Sequence, residues 1–101
     1  MKYSTGSRVE VVKKSNIIDA IREYVPRVKQ DENDKHRYCF DCPICGERDS
    51  LVADDVHQSW FCHKCMKGGD VVSLVSYVEN ESEDKVMELL ADKYAVELRR
   101  A

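Results

Sequence analysis

The sequence is short of long apolar runs, of positive charge, and of glycine and proline. No stretch approaches the roughly 20 apolar residues that a membrane-spanning helix needs, so a membrane protein is not expected. No apolar stretch follows the first seven residues, Met1 to Ser7, so they do not read as a signal peptide. The formal net charge is -3, whereas a nonspecific nucleic-acid binder is usually basic; any contact with nucleic acid must then be local and weak. Four glycines and two prolines leave no low-complexity segment. There is no triad-like motif and no phosphate-binding loop, and the carboxylates are scattered along turns and helices. The chain is therefore expected to have no enzymatic activity of its own.

What is plentiful for 101 residues is cysteine, with five. Cytoplasm is the expected compartment, and there thiols stay reduced. Cysteines in that setting read as metal ligands before they read as disulfides. The length allows one domain with a modest core.

The apolar spacing predicts an α+β domain. Residues 1–14 carry scattered charge and little periodicity and read as an N-terminal arm. Over 15–25, Ile17, Ile18, Ile21, Tyr24 and Val25 fall on one helical face, with Ser15 or Asn16 as cap and Pro26 as the stop. Two extended stretches, 27–29 and 36–41, flank a polar turn at 30–35. Segments 50–54 and 58–62 read as a hairpin closed by Asp55, Val56 and His57. Three or four short antiparallel strands are thus expected around the cysteines. Asp70 then caps a helix running to about Asn80, and Ser82 caps another carrying Val86, Met87, Leu89, Leu90 and Tyr94. The expected architecture is a small antiparallel zinc-ribbon sheet flanked by about three helices. It forms a single domain over 15–98, with a short tail at 99–101.

The chemistry lies in Cys42-Pro43-Ile44-Cys45-Gly46 and Cys62-His63-Lys64-Cys65, a C-x2-C-x16-C-x2-C pattern. Two residues between ligands let one tight turn aim both sulfurs at one ion. Gly46 lets the chain leave that turn at unusual backbone angles. Four thiolates suit one tetrahedral Zn2+, and iron could occupy the same sulfurs. Cys42, Cys45, Cys62 and Cys65 are therefore the expected ligands of one zinc ion per chain. Cys39 could pair with Cys42 as an alternative knuckle, but the proline and glycine chemistry favours Cys42 with Cys45. Cys39 then reads as a small strand residue, and His36, His57 and His63 as surface histidines. Four thiolates around a divalent ion add two negative charges to the formal balance. Arg48, Lys64 and Lys67 are placed to offset them.

Several of these motifs together resemble the N-terminal zinc-binding domain of bacterial replicative DNA primases. They are Cys42-Pro43, then Trp60-Phe61-Cys62-x-x-Cys65, then Gly69-Asp70-Val71-Val72. The segment from Asn16 to Val25 is similar to that family's opening helix, and the one from Glu83 to Leu98, with Leu89-Leu90-Ala91, to its closing helix. Two features depart from the family pattern. Cys45 stands where the family usually has histidine, and Arg48-Asp49-Ser50-Leu51 replaces a Thr-Pro-Ser-Phe segment. The resemblance implies a module that reads single-stranded template DNA in replication, supporting a primase catalytic domain in the same or another chain. A primase catalytic domain or a helicase are the protein partners it implies. Nothing in these residues supplies the acidic cluster of a catalytic domain, so the chain is expected to be either part of a longer primase or a free-standing relative from a mobile element.

Base stacking on aromatic rings, with cations along the backbone, is the usual physics of single-strand reading. The candidate nucleic-acid-binding residues are Arg37, Trp60, Lys64 and Lys67. Strand alternation puts Trp60 and Phe61 on opposite faces, so one of the two is core. Tyr38 and Phe40 share a face that is either core or contact surface. Two other readings compete. One is a zinc-ribbon adaptor that binds a protein and no DNA. The other is a redox switch that releases zinc on oxidation, with Cys39 as the resolving thiol.

Overall fold

The computed structural model describes residues 2–101. Nine elements follow in order: α1 (Thr5–Lys14), α2 (Ile17–Arg22), β1 (Val28–Gln30), β2 (Arg37–Phe40), β3 (Leu51–Asp54), β4 (Ser59–Cys62), β5 (Lys67–Gly69), α3 (Val71–Glu79) and α4 (Glu83–Tyr94). The strands form one antiparallel meander in sequence order. This is the expected α+β zinc-ribbon arrangement, with one more strand and one more helix than the periodicity revealed.

Register assigns the two faces. Across the strands, Phe40 pairs with Leu51 and Leu51 with Cys62, while Tyr38 pairs with Ala53 and Ala53 with Trp60. These rows form the inner face, and all of their residues except Tyr38 are buried. The opposite face carries the row Lys29, Cys39, Val52, Phe61 and Gly68. Helices α2 and α3 pack on the inner side. Helix α2 is only six residues long, yet it buries Ile17, Ile18, Ala20 and Ile21. Each isoleucine so buried contributes about 1.5–3 kcal/mol. Its N-cap is Asn16, whose side chain accepts from the backbone N–H groups of Ile18 and Asp19.

The stretch expected as an arm, 1–14, forms helix α1 from Thr5 onward. The periodicity there is poor because its core side holds only Ser7 and Val11. Polar contacts hold the helix down. The Arg8 guanidinium forks onto Asp70 (2.9 and 3.0 Å) and onto Glu83 (3.0 and 3.0 Å), joining α1 to the starts of α3 and α4. Ser15, one of the two expected caps of the next helix, instead ends α1, with its hydroxyl donating to the Val11 carbonyl at 2.6 Å. The expected tail, 99–101, lies back along the N-terminal segment. Ser4 N–H donates to the Arg99 carbonyl (2.8 Å), Arg99 N–H to the Ser7 hydroxyl (2.7 Å) and Ala101 N–H to the Lys2 carbonyl (3.2 Å). Strand β5 escaped the sequence pattern because two of its three residues are glycines, which carry no strand signal.

Candidate metal centre

The two knuckles are built alike. In the first, Gly46 takes φ +78° and its N–H donates to the Cys42 carbonyl at 2.8 Å. In the second, Met66 takes φ +58° and its N–H donates to the Cys62 carbonyl at 2.9 Å. Each turn thus closes on its first cysteine and reverses through a left-handed residue. Pairing of β3 with β4 returns the second knuckle to the first, as Leu51 lies opposite Cys62.

The four sulfurs of Cys42, Cys45, Cys62 and Cys65 all lie within 4.8 Å of one another. Cys42 Sγ is 4.0 Å from Cys65 Sγ, and Cys45 Sγ is 3.7 Å from Cys62 Sγ. A tetrahedron with metal–sulfur bonds of about 2.3 Å has edges of about 3.8 Å, so this donor set fits one zinc ion. The four cysteines form a single metal site. Cys39 lies outside it, on the opposite face of the sheet, with its sulfur 3.5 Å from the Asp49 carbonyl.

Backbone and hydroxyl groups support the sulfurs unequally. Cys42 Sγ accepts from the N–H groups of Ile44 (3.4 Å) and Cys45 (3.5 Å). Cys62 Sγ accepts from Cys65 N–H (3.5 Å) and lies 3.4 Å from Ser50 Oγ. Burial pushes the Cys42 thiol up to about 12, against the pull of its two N–H donors. Burial acts on Cys62 too, but there the N–H groups of Cys65 and Lys64 and the Ser50 hydroxyl prevail and bring it down to about 6. Such a spread belongs to sulfurs that share one space and titrate together; a bound divalent cation favours the thiolate at every position.

Ser50 was not singled out by the sequence pattern, yet it joins the knuckles. It is fully buried, and its hydroxyl donates to the Glu47 carbonyl at 2.9 Å. That carbonyl also accepts from Cys42 N–H at 3.0 Å, and the Ser50 carbonyl accepts from His63 N–H at 3.1 Å. In one sequence a lone serine before a strand gives no sign of this role.

The candidate nucleic-acid residues do not share a surface. Trp60 is only 3% exposed, in the core between sheet and helices. Its indole N–H donates to the Asp70 carbonyl at 2.7 Å, and its ring meets Tyr77 edge-on. This corrects the expectation that Trp60 offers a stacking surface. The exposed ring on β4 is Phe61, at 46%. It lies against Gly68 of β5, where a Cβ would come within 2.8 Å of the ring. Lys67 pairs with Cys62 in the sheet and reaches to the helical side, its ammonium 4.9 Å from the centroid of the Tyr77 ring. Lys64 projects from the second knuckle and is exposed. Arg37 is exposed on the outer face, two residues along β2 from Cys39. Among the described residues, no carboxylate pairs with Arg37, Arg48 or Lys64. Arg27 and Lys29, by contrast, pair with Asp41 and Asp49 at 3.4–3.5 Å.

A five-stranded antiparallel sheet carrying two cysteine knuckles is the framework of a zinc-binding domain. The model of the CHC2 zinc finger, the DnaG zinc ribbon, matches residues 4–101, and the chain belongs to that family. The crystal structure of the Aquifex aeolicus primase, comprising its zinc-binding and RNA polymerase domains, is similar with a TM-score of 0.77 at 26% sequence identity. That match covers 91% of this chain and 22% of the primase chain, so this chain spans about a fifth of the length of the protein it resembles. No curated protein matches the sequence. No helix among the described residues is long and apolar enough to cross a membrane.

Proposed function

We propose that this domain reads single-stranded template DNA in support of a primase catalytic domain, in cis or in trans. Membership of the primase zinc-finger family sets the context. The observation that carries the reading is the exposed Phe61 ring on the solvent face of the sheet, opposite Gly68. An exposed aromatic ring on a sheet face gives a base a surface on which to stack. Val52 flanks it in the same cross-strand row, and Arg37 stands on the same face with no carboxylate partner among the described residues. Lys64 adds a cation from the second knuckle. Lys67 is engaged with Tyr77 on the other side and contributes less. The metal holds β2, β3 and β4 in register and so fixes the platform. The domain brings no catalytic group; primer synthesis belongs to the catalytic domain.

The test is a fluorescence-anisotropy titration of the zinc-loaded domain against short labelled oligonucleotides at two salt concentrations. Binding should favour single strands, with a salt slope of about -0.7 to -1.4, as expected for one or two phosphate contacts on a single strand. Phe61→Ala should weaken it by about 1–3 kcal/mol without loss of zinc. A folded, zinc-loaded domain that binds no single strand at low salt would overturn this reading in favour of the protein adaptor.

A further inference from the structure

The four sulfurs of the metal site are not equivalent. Cys42 and Cys62 are buried and each accepts backbone N–H groups. Cys45 is exposed, and no N–H or O–H group among the described residues donates to its sulfur. Cys65 also has no such donor, but it is only half-exposed. Donated hydrogen bonds and burial both lower a thiolate's reactivity toward electrophiles, so Cys45, the one exposed cysteine of the set, is the most reactive of the four. Cys62 Sγ stands 3.7 Å away, on the opposite knuckle. The family's name records a Cys-His-Cys-Cys ligand set, and Cys45 occupies the histidine position. Histidine can hold zinc there but cannot form a disulfide.

We propose that the substitution makes this centre a peroxide-responsive switch, in which Cys45 is oxidised first and Cys62 closes on it. The Cys45 thiolate attacks one oxygen of a hydroperoxide such as hydrogen peroxide. The O–O bond breaks, Cys45 becomes a sulfenic acid and hydroxide leaves. The Cys62 thiolate then attacks the Cys45 sulfur, forming the S–S bond and expelling a second hydroxide. Two thiolates have given up two electrons, and one peroxide has accepted them. The metal site has lost two of its four donors, one from each knuckle, and the ion is released. Cys39, outside the site on the other face, takes no part. The inference rests on the metal site and not on the DNA reading.

The experiment treats the zinc-loaded chain with hydrogen peroxide and follows released zinc with a chromogenic chelator, intact mass and peptide mapping. The parent should start with one zinc, release it as its mass falls by two hydrogens, and yield a Cys45–Cys62 cross-link. Reductant with added zinc should restore it. Cys39→Ser should behave as the parent. Cys45→His should hold zinc and release it at least about tenfold more slowly under peroxide, because the sulfur oxidised first is gone. A cross-link mapped to any other pair, or release from Cys45→His at the parental rate, would overturn the proposal. Should Cys45→His fail to fold, the cross-link map of the parent decides alone. A parent that binds no zinc before peroxide is added refutes the metal site itself, a separate failure.

Discussion

The indole N–H of Trp60 and the carbonyl oxygen of Asp70, 2.7 Å apart, tie the fourth strand to the residue that caps α3. The same Asp70 side chain accepts from Ser73 N–H at 3.1 Å and from the Arg8 guanidinium. Sheet, helix start and N-terminal helix therefore meet at one residue.

Trp60→Ala should destabilise the domain by about 3–5 kcal/mol, the range for emptying a large aromatic site in a core. Phe61→Ala, which removes a half-exposed ring, should change stability by less than about 1 kcal/mol. Thermal melts of the two zinc-loaded variants test the contrast. A mild Trp60→Ala and a severe Phe61→Ala would reverse the assignment of the two faces.

Removal of zinc should melt the sheet. The core is small, and the knuckles hold both ends of the β3–β4 hairpin to the first cysteine pair. Circular dichroism with a strong chelator should show loss of strand signal, with the C-terminal helices losing order more gradually. Serine at Cys42, Cys45, Cys62 or Cys65 should sharply lower bound zinc measured by atomic absorption, and Cys39→Ser should leave it at one per chain. An unchanged spectrum after complete zinc removal would refute the structural role.

Arg8→Ala should cost about 1–3 kcal/mol, since it removes charge-assisted bonds to two carboxylates at a partly buried site. Arg8→Lys should recover less than half of that, because an ammonium cannot span Asp70 and Glu83 with parallel pairs of bonds. Urea melts of both variants provide the measurement; equal stability of Arg8→Lys and the parent would show the forked geometry to be irrelevant.

Met66→Gly should stabilise the domain. Met66 holds φ +58° and is 70% exposed, so its side chain contributes little packing to set against the strain. Relief of a left-handed non-glycine residue is worth about 1–2 kcal/mol, less about 0.5–1 kcal/mol for the greater freedom of glycine when unfolded. The expected gain is a fraction of a kcal/mol to about 1 kcal/mol, read as a raised melting temperature.

Alkaline pH should weaken the packing of α2 on α3. Burial and the hydrogen bond to Glu79 (2.9 Å) raise the Tyr24 phenol above its usual value. The folded state therefore keeps a proton that the unfolded chain loses at about pH 10. The resulting stabilisation is complete below about pH 10 and is lost as pH rises through the folded-state value. Ultraviolet titration should show a late-ionising tyrosine that is missing in Tyr24→Phe, and stability of that variant should fall less steeply above about pH 10.

The sequence made the metal site and the outer helices legible for different reasons. Two C-x2-C pairs define a site almost without regard to context, because the ligand chemistry is local to each turn. Helices α3 and α4 announce themselves through Asp70 and Ser82 as caps and through continuous apolar faces. Helix α1 is held by one arginine bridging residues 62 and 75 positions away, which no periodic pattern encodes. Trp60 and Phe61 could be split between faces by alternation, but which of them faced inward depended on the carbonyl of Asp70 and on Gly68 across the sheet. Ser50 shows the same limit, since its importance comes from Glu47 and Cys62 meeting around it in three dimensions.

The pairing of the two chain ends has a mechanical consequence. Lys2 and Ala101 lie side by side, and Tyr3 bridges Arg100 in antiparallel fashion. Tension applied between these ends pulls across the pair and opens its bonds one at a time, the geometry of a zipper. The load meets Ala101–Lys2 and Ser4–Arg99 first, and the sheet with its cysteines lies outside the line of force. Anything attached through these ends can tug on the domain, peel back the clasp and let it re-form, while the metal-bearing part stays unstrained.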